Sequence, residues 1–350
     1  MNFNPDRFSD SGPHWTKIDT IKKKDNLDLL NLIASNYSHY YGKLENIYRV
    51  TGPEVNSSNL LIEGSVRKFV IKLINQNELS NFKTQTDLYG HIKNMNLPAP
   101  YLISSEFTPS LPHFALDYIK GEYFSGSKKD LELTAKSVNF FHDGFKNYDK
   151  SKLLKWDVLQ QNSSNILNNF YALKDEWGYK FGSEIELKLQ KNIDLIFDTE
   201  ASCSNNIDQI LKIEESIFHI DLHPHNIIIG NGIANIIDID SLRVARWPTA
   251  LGFGFFKLVR QALVNQGIDN LDYSDIAVVF KEMSANINTG ENKWELLFSG
   301  ALTEILKRLL TIFEGNLGGQ ISPWNKTLLY QIDALSEIHF LASKFNTNRL

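Results

Sequence analysis

Short runs of hydrophobic residues alternating with polar ones fill the N-terminal third of the chain, a pattern typical of β-strands. The runs are "NIYRVTGPEV" (46–55), "NLLIEG" (59–64), "KFVIKLI" (68–74), "YLISSEF" (101–107) and "PHFALDYI" (112–119). Turn-forming residues separate the first three of them. Residues 25–42 and 77–96 instead place apolar side chains at helical spacing. The pattern therefore predicts a small sheet with two helices.

The pattern changes to helical spacing after the last of these runs. It continues through "DLELTAKSVNFFHDGF" (130–145), residues 151–215 and the chain from residue 251 onward. The later β-like pieces are "FHIDLHPHNIII" (218–229) and "GIANIIDIDSL" (232–242). A length of 350 residues suits two lobes. We predict an α+β fold with a sheet-rich N-lobe (1–118) that has an N-terminal helical extension, and a helical C-lobe (119–350).

Composition narrows the class of protein. Hydrophobic residues make up 42% and charged residues 22%, with a net charge of −5, which does not fit the basic surface of a nucleic-acid binder. Cys203 is the only cysteine, which fits a reducing compartment. Because no secretion signal and no apolar run of about 20 residues is visible, we expect a cytoplasmic protein without a membrane partner. Its oligomeric state does not follow from the sequence.

The stretch "FHIDLHPHNIII" contains most of the candidate chemistry. On a straight strand its alternate polar residues would share a face and offer metal ligands of the zinc type, as in a metallohydrolase. These residues are His219, Asp221, His223 and His225. Pro224 argues against that strand, because proline interrupts a central strand. A loop with hydrogen-bonded histidines that leads into a core strand is a second interpretation.

A catalytic loop for phosphoryl transfer is the third interpretation, and the one we favour. His219, Asp221 and Asn226 match the pattern His-X-Asp-X-X-X-X-Asn. In protein kinases this aspartate orients the attacking hydroxyl and accepts its proton, and the asparagine holds magnesium. "IIDID" follows, and on a strand it would place Asp238 and Asp240 on one face. We predict Asp221 as the base and His219 as a brace of its loop. The predicted magnesium ligands are Asn226, Asp238 and Asp240.

"HIDLHPHNIII" followed by "IIDID" resembles the signature of the aminoglycoside phosphotransferase and choline kinase superfamily. Those enzymes usually have His-Gly-Asp-Leu-His-X-X-Asn and then Ile-Asp-X-Asp/Glu. The resemblance covers about residues 45–260 and is strongest at 216–242. It implies a protein-kinase-like two-lobe fold. It also implies an enzyme that uses ATP and Mg²⁺ to phosphorylate a hydroxyl of a small molecule, such as a sugar, an amino alcohol or an aminoglycoside.

The resemblance also implies a nucleotide site in the N-lobe. Lys72 of "RKFVIKLI" takes the position of the lysine that holds the α- and β-phosphates. Gln85 stands where relatives have a glutamate, so it can hydrogen-bond Lys72 but cannot neutralise it. The phosphate-covering loop corresponds to "GPEVNSSN" (52–59), with Ser57, Ser58 and Asn59 as candidates. The adenine-binding hinge corresponds to "FALDYIKGEYF" (114–124), with Asp117, Tyr118 and Ile119 as candidates.

A second departure follows the metal ligands. Relatives often carry Gly-Asp-Pro and then an Asp-Leu pair that braces the catalytic loop. "ARWPTALGFGFFKLVR" keeps Pro248 but has no acidic residue, so we expect Trp247 and Phe253 to pack against the loop instead. These departures leave one alternative open, a kinase-like module that binds a nucleotide and transfers nothing. The acceptor itself stays open, because the aromatic residues of the C-lobe are more often core than a cation-binding cage.

Overall fold

The computed structural model describes residues 14–17, 33, 36–51, 59–74, 76–107, 112–158, 162–267, 270–317 and 325–347. The chain divides into two compact units. The sheet unit comprises Phe8–Phe124 and His225–Asp240, and the helical unit includes Ser125–Pro224 and Ser241–Leu350. The predicted α+β class is confirmed. The segment after Pro224, which the sequence placed in the second lobe, groups with the sheet unit.

An antiparallel sheet forms most of the sheet unit. Its strands are β1 (His14–Lys17), β2 (Leu44–Thr51), β3 (Asn59–Gly64), β4 (Lys68–Leu73), β5 (Leu102–Glu106) and β6 (His113–Asp117). They lie in the order β1-β2-β3-β4-β6-β5. The five strands predicted from alternation are confirmed to within a few residues, apart from residues 52–55, which lie outside the described part of the chain.

One face of this sheet forms a hydrophobic core, because successive strand residues point to opposite faces. Leu60, Phe69 and Ile71 are fully buried there. They pack with Tyr37 and Tyr41 from the helical residues 36–41. Those residues confirm the end of the predicted helix 25–42; the rest of it, except residue 33, lies outside the described residues.

Helix α1 (Phe82–Asn94) lies on the opposite face. Its buried residues recur at helical spacing and are Gln85, Leu88, Tyr89 and Ile92. The ring of Phe82 stacks on that of Phe114 with 4.6 Å between centroids. Phe114 pairs directly with Lys72 across β6 and β4, so Lys72 is on the face that α1 covers.

Three short strands complete the described part of the sheet unit. They are β7 (Glu122–Tyr123), β9 (Ile227–Gly230) and β10 (Ile233–Ile236). The amide of Ile236 donates to the carbonyl of Pro98 (2.7 Å), and the amide of Ile237 donates to the carbonyl of Asn226 (2.9 Å). These two bonds hold the end of β10 between Asn226 and the residues that follow α1. They therefore also fix the position of the chain that leads into Asp238.

Helices make up most of the helical unit. They are α2 (Lys128–Gly144), α3 (Ser163–Ala172), α4 (Trp177–Phe181), α5 (Ser183–Leu211), α6 (Trp247–Gln266), α7 (Tyr273–Met283), α8 (Lys293–Leu317) and α9 (Leu328–Thr347). Strands β8 (Glu215–His219) and β11 (Leu242–Arg246) pair antiparallel beside them. Within the described ranges, no helix combines the length and the hydropathy that a membrane span needs.

Glycines allow α6 and α8 to cross closely. A Cβ atom on Gly252 would lie 2.4 Å from the carbonyl oxygen of Leu297, and one on Gly300 would lie 2.1 Å from that of Pro248. Both distances are far shorter than van der Waals contact, so a larger residue at either position would push the helices apart. The crossing fixes α8 against α6 close to the loop after β8.

The prediction of continuous helix over 151–215 is wrong. Residues 153–158 have no regular structure apart from a bridge at Lys155, and β8 begins at Glu215. Gly182 separates α4 from α5 with φ 85°, a left-handed conformation that favours glycine. The sequence also missed β7 and β11, because their length and pairing depend on distant strands rather than on local pattern.

Candidate active site

Lys72 is the centre of a charged cluster in the sheet unit. Its Nζ atom lies 2.9 Å from Oδ1 of Asp238 and also donates a hydrogen bond to Oδ1 of Asp240. The Lys72 side chain is only 14% exposed, whereas those of the two aspartates are 37% and 24% exposed. The fold therefore brings together a lysine and two carboxylates that are more than 160 residues apart in the sequence.

The ionisation of this cluster follows from burial and from the close charges. Burial lowers the pKa of Lys72, but Asp238 and Asp240 outweigh it and hold that pKa well above its ordinary value. Burial raises the pKa of Asp240; Lys72 opposes that shift and Asp238 adds to it. Two carboxylates beside one ammonium leave a net negative charge, which favours a further cation.

Asp238 has φ 63°, in the left-handed region that residues other than glycine rarely adopt. The prediction that it shares a strand face with Asp240 is therefore wrong. Strand β10 already ends at Ile236, and a 3₁₀ turn covers Ile239–Ser241. Aspartate tolerates this conformation better than most residues. An unusual backbone conformation within a charged cluster indicates a functional constraint.

Two asparagines predicted as site residues are linked to this cluster, one by strand pairing and one by a backbone hydrogen bond. Asn59 pairs directly with Lys72 across β3 and β4, so both side chains lie on one face. Asn226 is buried, and its carbonyl is bonded to the residue that precedes Asp238. Ser57 and Ser58, the other candidates for the phosphate loop, lie outside the described residues.

Gln85 is buried on α1, one turn before Tyr89. Burial raises the pKa of Tyr89, and Lys72, the next largest influence, opposes that shift. This end of α1 therefore packs close to the charged cluster. The missing glutamate at position 85 does not leave Lys72 unbalanced, because Asp238 and Asp240 provide the opposite charge.

The candidate adenine-binding residues of the predicted hinge begin at Asp117, the last residue of β6. The amide of Asp117 donates to the carbonyl of Tyr101 (2.9 Å), and its carboxylate lies 3.8 Å from Nη1 of Arg67 at the surface. That amide is therefore committed within the sheet. Tyr118 and Ile119 follow in a half-buried segment without regular secondary structure.

Asp221 lies in the helical unit beside an arginine of α8. Nη1 of Arg308 lies 3.3 Å from Oδ1 of Asp221, and Nη2 lies 3.4 Å from the carbonyl oxygen of Ile220. Burial lowers the pKa of Arg308, but Glu304 and Asp221 outweigh it and raise that pKa. Asp221 is 36% exposed and so accessible to a small molecule.

Phe253, predicted to pack against this loop, lies against Arg308, which binds the loop. The guanidinium carbon of Arg308 lies 4.1 Å from the centre of its ring. A Cβ atom on the next glycine of α6, Gly254, would meet the side chain of Leu222 at 3.0 Å. Trp247 is buried, and its ring lies near that of Phe280.

The histidines of the stretch do not form a zinc site. Strand β8 ends at His219 and a 3₁₀ turn covers Pro224–Asn226, so alternate residues no longer share a face. In the part of the chain that the structure describes, no three His, Cys, Asp or Glu side chains are arranged to hold a metal ion. His223 lies 3.6 Å from Asp221, and His225 packs edge-on against Tyr123. The metallohydrolase interpretation has no support.

The predicted magnesium site contains donors of a suitable kind. Asn226, Asp238 and Asp240 offer only oxygen ligands, which Mg²⁺ prefers, and magnesium often binds through one or two carboxylates together with substrate phosphates. Asp238 and Asp240 already hold one cation, the ammonium of Lys72. The chemistry of the donor set fits magnesium with a nucleotide.

Arg308 and Glu304 lie beside Asp221, but no sequence pattern predicts their role there. Both lie in an ordinary amphipathic helix, 87 and 83 residues after Asp221. No local motif marks them, because only the crossing of α6 and α8 brings this part of α8 to the loop.

The sequence matches no protein-family model and no curated protein, but solved structures match its fold. Spectinomycin phosphotransferase APH(9)-Ia, in complex with ADP and spectinomycin, has a TM-score of 0.66 at 14% identity, over 91% of this chain and 98% of that chain. Choline kinase LicA from Streptococcus pneumoniae has a TM-score of 0.56 at 13% identity, over 89% and 99%. Plasmodium vivax ethanolamine kinase has a TM-score of 0.54 at 13% identity, over 94% and 93%. These matches confirm the predicted kinase-like fold.

Proposed function

We propose that the protein is a phosphotransferase that uses ATP and Mg²⁺ to phosphorylate a hydroxyl group of a small molecule. The observation that carries the proposal is the convergence of Lys72, Asp238 and Asp240 in one half-buried cluster. A structure of similar fold contains ADP and a small-molecule antibiotic, which supports a nucleotide as the donor.

In this proposal Lys72 binds phosphate oxygens of ATP, while Asn226, Asp238 and Asp240 hold magnesium. When bound, the metal ion neutralises negative charge on the β- and γ-phosphates. Lys72 can contribute because its ammonium stays charged at neutral pH. Asn59 shares the sheet face of Lys72 and, with Ser57 and Ser58, is proposed to contact the phosphates. The backbone of Tyr118 and Ile119 is proposed to bind adenine.

Asp221 is proposed to act on the acceptor. Its carboxylate accepts a hydrogen bond from the attacking hydroxyl, orients it and takes its proton as the oxygen bonds to the γ-phosphorus. The bond from that phosphorus to the bridging oxygen of ATP breaks at the same time, and ADP leaves. His219 is buried at the end of β8 and pairs with Leu242 of β11. Its proposed role is to brace the loop rather than to touch the substrate.

The charges near Asp221 favour a neutral acceptor. Arg308 lies against the ring of Phe253, and Nζ of Lys307 lies 3.7 Å from the centre of the Trp156 ring. The chain's own cations thus take the aromatic faces that a quaternary ammonium compound would use. Both cations also lie beside carboxylates, Arg308 beside Glu304 and Asp221. Lys307 is influenced by Glu304 and Asp157. A neutral polyhydroxy compound fits this balance best.

Thermal unfolding tests the nucleotide half of the proposal. Millimolar ATP with magnesium is expected to raise the melting temperature more than ATP with EDTA, because a ligand that binds only the folded state stabilises it. The same comparison on Lys72→Ala controls for indirect effects of magnesium. Equal melting temperatures with and without magnesium would remove the nucleotide assignment.

A screen of ATP consumption tests the transfer half. It compares neutral sugars and polyols, amino alcohols including choline, and aminoglycosides, with Asp221→Asn as the blank for each. We expect turnover above the blank with a neutral hydroxyl compound. A magnesium-dependent thermal shift without turnover above the blank on any acceptor or on water would identify the nucleotide-binding module instead.

A further inference from the structure

We infer that Arg308 is a positioning residue for the proposed reaction: its guanidinium holds the Asp221 carboxylate and the backbone of the catalytic loop in one fixed orientation. The inference rests on the proposed function, because it concerns the residue proposed as the base.

The guanidinium of Arg308 is held on its edges and on one face. Nε donates to Oε1 of Glu304 at 2.8 Å, Nη1 to Oδ1 of Asp221 at 3.3 Å and Nη2 to the carbonyl of Ile220 at 3.4 Å. The ring of Phe253 covers a face at 4.1 Å. A planar fork of donors held in this way has one orientation, and it transmits that orientation to the carboxylate and the carbonyl it binds.

Glu304 is itself fixed, so Arg308 has a rigid support. Glu304 is 2% exposed, and its second oxygen accepts a hydrogen bond from the indole Nε1 of Trp156 at 2.8 Å. It lies one turn before Arg308 on α8, and that helix is fixed against α6 by the close crossing at Gly300. The chain of contacts runs from the helix packing through two side chains to Asp221.

Arg308 gives the catalytic loop a support from a distant helix, in addition to the proposed brace His219. The segment that begins at Pro248 has no acidic residue to bind the loop. Arg308 from α8 and His223 from the loop itself lie 3.3 Å and 3.6 Å from the Asp221 carboxylate. Arg308 also binds the carbonyl of Ile220, so it holds the loop both through the backbone and through the reactive side chain.

A purely structural arginine would give different results from a positioning one, and Arg246 is a matched control. Arg246 forms a 2.9 Å ion pair with Glu215 at the opposite end of the β8–β11 pair and is 18% exposed. Arg246→Gln removes a comparable ion pair from the same unit without touching the loop. The probe reaction is magnesium-dependent ATP hydrolysis with water as acceptor, together with the best acceptor of the screen.

Arg308→Gln and Arg308→Lys are expected to keep the magnesium-dependent thermal shift with ATP and to lower kcat by about 10²-fold, the typical cost of a misplaced catalytic group. The lysine variant fails because an ammonium cannot bind the carboxylate and the carbonyl as a fork. In the glutamine variant the acidic limb of the kcat/KM profile moves to higher pH, since the cation beside the base is gone. Arg246→Gln keeps wild-type kcat and profile.

Chemical rescue separates positioning from folding. Millimolar guanidinium is expected to restore part of the kcat of Arg308→Ala without restoring that of Asp221→Asn. Wild-type kcat in both Arg308→Gln and Arg308→Lys would overturn the inference, as would equal losses in Arg246→Gln. If Arg308→Gln does not fold, failed rescue of a folded Arg308→Ala or wild-type kcat in Arg308→Lys would overturn it. A wild-type protein without magnesium-dependent turnover would instead contradict the proposed function.

Discussion

The sheet unit and the helical unit each hold a cation between two carboxylates, but the two cations differ in kind. Lys72 lies between two aspartates that follow β10. Arg308 lies between Glu304 and Asp221. Both three-residue clusters are half-buried. In both, the two carboxylates outweigh the effect of burial and raise the pKa of the cation.

The difference shows which cation can exchange its partners for a ligand and which one holds its partners in place. An ammonium is a compact charge on a flexible stem, so in the proposed function Lys72 can exchange the aspartates for phosphate oxygens. A guanidinium stacked on Phe253 has a fixed fork, so Arg308 keeps its partners. Asp221 is thus held in place, whereas Asp238 and Asp240 are proposed to exchange Lys72 for a metal ion.

In the cluster of the helical unit, substitution of Asp221, the proposed base, has the largest expected effect. Asp221→Asn keeps the shape of the side chain but removes its negative charge and its ability to accept a proton, so turnover falls by about 10²–10⁴-fold. The magnesium-dependent thermal shift with ATP stays, because the residues proposed to bind ATP are elsewhere. Steady-state ATP consumption and thermal unfolding measure the two effects.

His223→Ala and His225→Ala are the controls for that experiment. Each is expected to cost less turnover than Asp221→Asn, although His225 is buried against Tyr123 and its loss also lowers stability. Stoichiometric zinc in the purified protein, lost on changing either histidine, would contradict the kinase assignment.

A third pair provides a reference for a cation that only stabilises. Arg260 and Glu337 join α6 to α9 at 2.7 Å and are 1% and 2% exposed. Glu337→Gln leaves the arginine charge buried, and we expect a loss of about 3–5 kcal/mol in the free energy of unfolding. Arg260→Met with Glu337→Leu should recover most of it. Chemical denaturation measures both, and kcat of the folded fraction should not change.

Substitutions of Lys72 and Asp238 in the sheet unit test whether Lys72 exchanges its aspartate partners for phosphate. Lys72→Ala removes a charged hydrogen-bond donor to phosphate worth about 1.5–3 kcal/mol, so apparent ATP affinity falls roughly 10–100-fold. Asp238→Asn instead raises the magnesium concentration needed for turnover. If both variants unfold at room temperature, the cluster is structural and the exchange model is wrong.

A pH titration gives the smallest expected effect. The His142 ring packs edge-on against Phe218 of β8, and burial, with a smaller effect of His219, lowers the pKa of His142 from 6.5 to about 3. Below about pH 6.5, His142 therefore binds a proton in the unfolded chain but not in the folded protein. The free energy of unfolding falls as the pH falls. We expect a loss of about 1–2 kcal/mol at pH 5 relative to His142→Leu. Urea unfolding at pH 7 and pH 5 checks it, and parallel curves for both proteins would contradict it.

Much of the fold was predictable, because the physical signals are local. Alternation along "KFVIKL" predicts β4, which buries one face, and the short apolar run in "NLLIEG" between turns predicts β3. The spacing in "DLELTAKSVNFFHDG" predicts α2 for the same reason at a period of 3.6. The breaks within 151–215 were not predictable from spacing, because amphipathic residues continue across them.

The sequence by itself determined the identity of the proposed chemistry: Asp221, Asn226, Asp238 and Asp240 stand at spacings that carry meaning without coordinates. Only the tertiary structure decided what balances and supports these groups. The conformation of Asp238, with φ 63°, depends on the hydrogen bonds that end β10. Arg308 reaches Asp221 because glycines let two helices cross. Motif spacing is a property of one segment, whereas charge balance in a buried site is a property of every segment that packs around it.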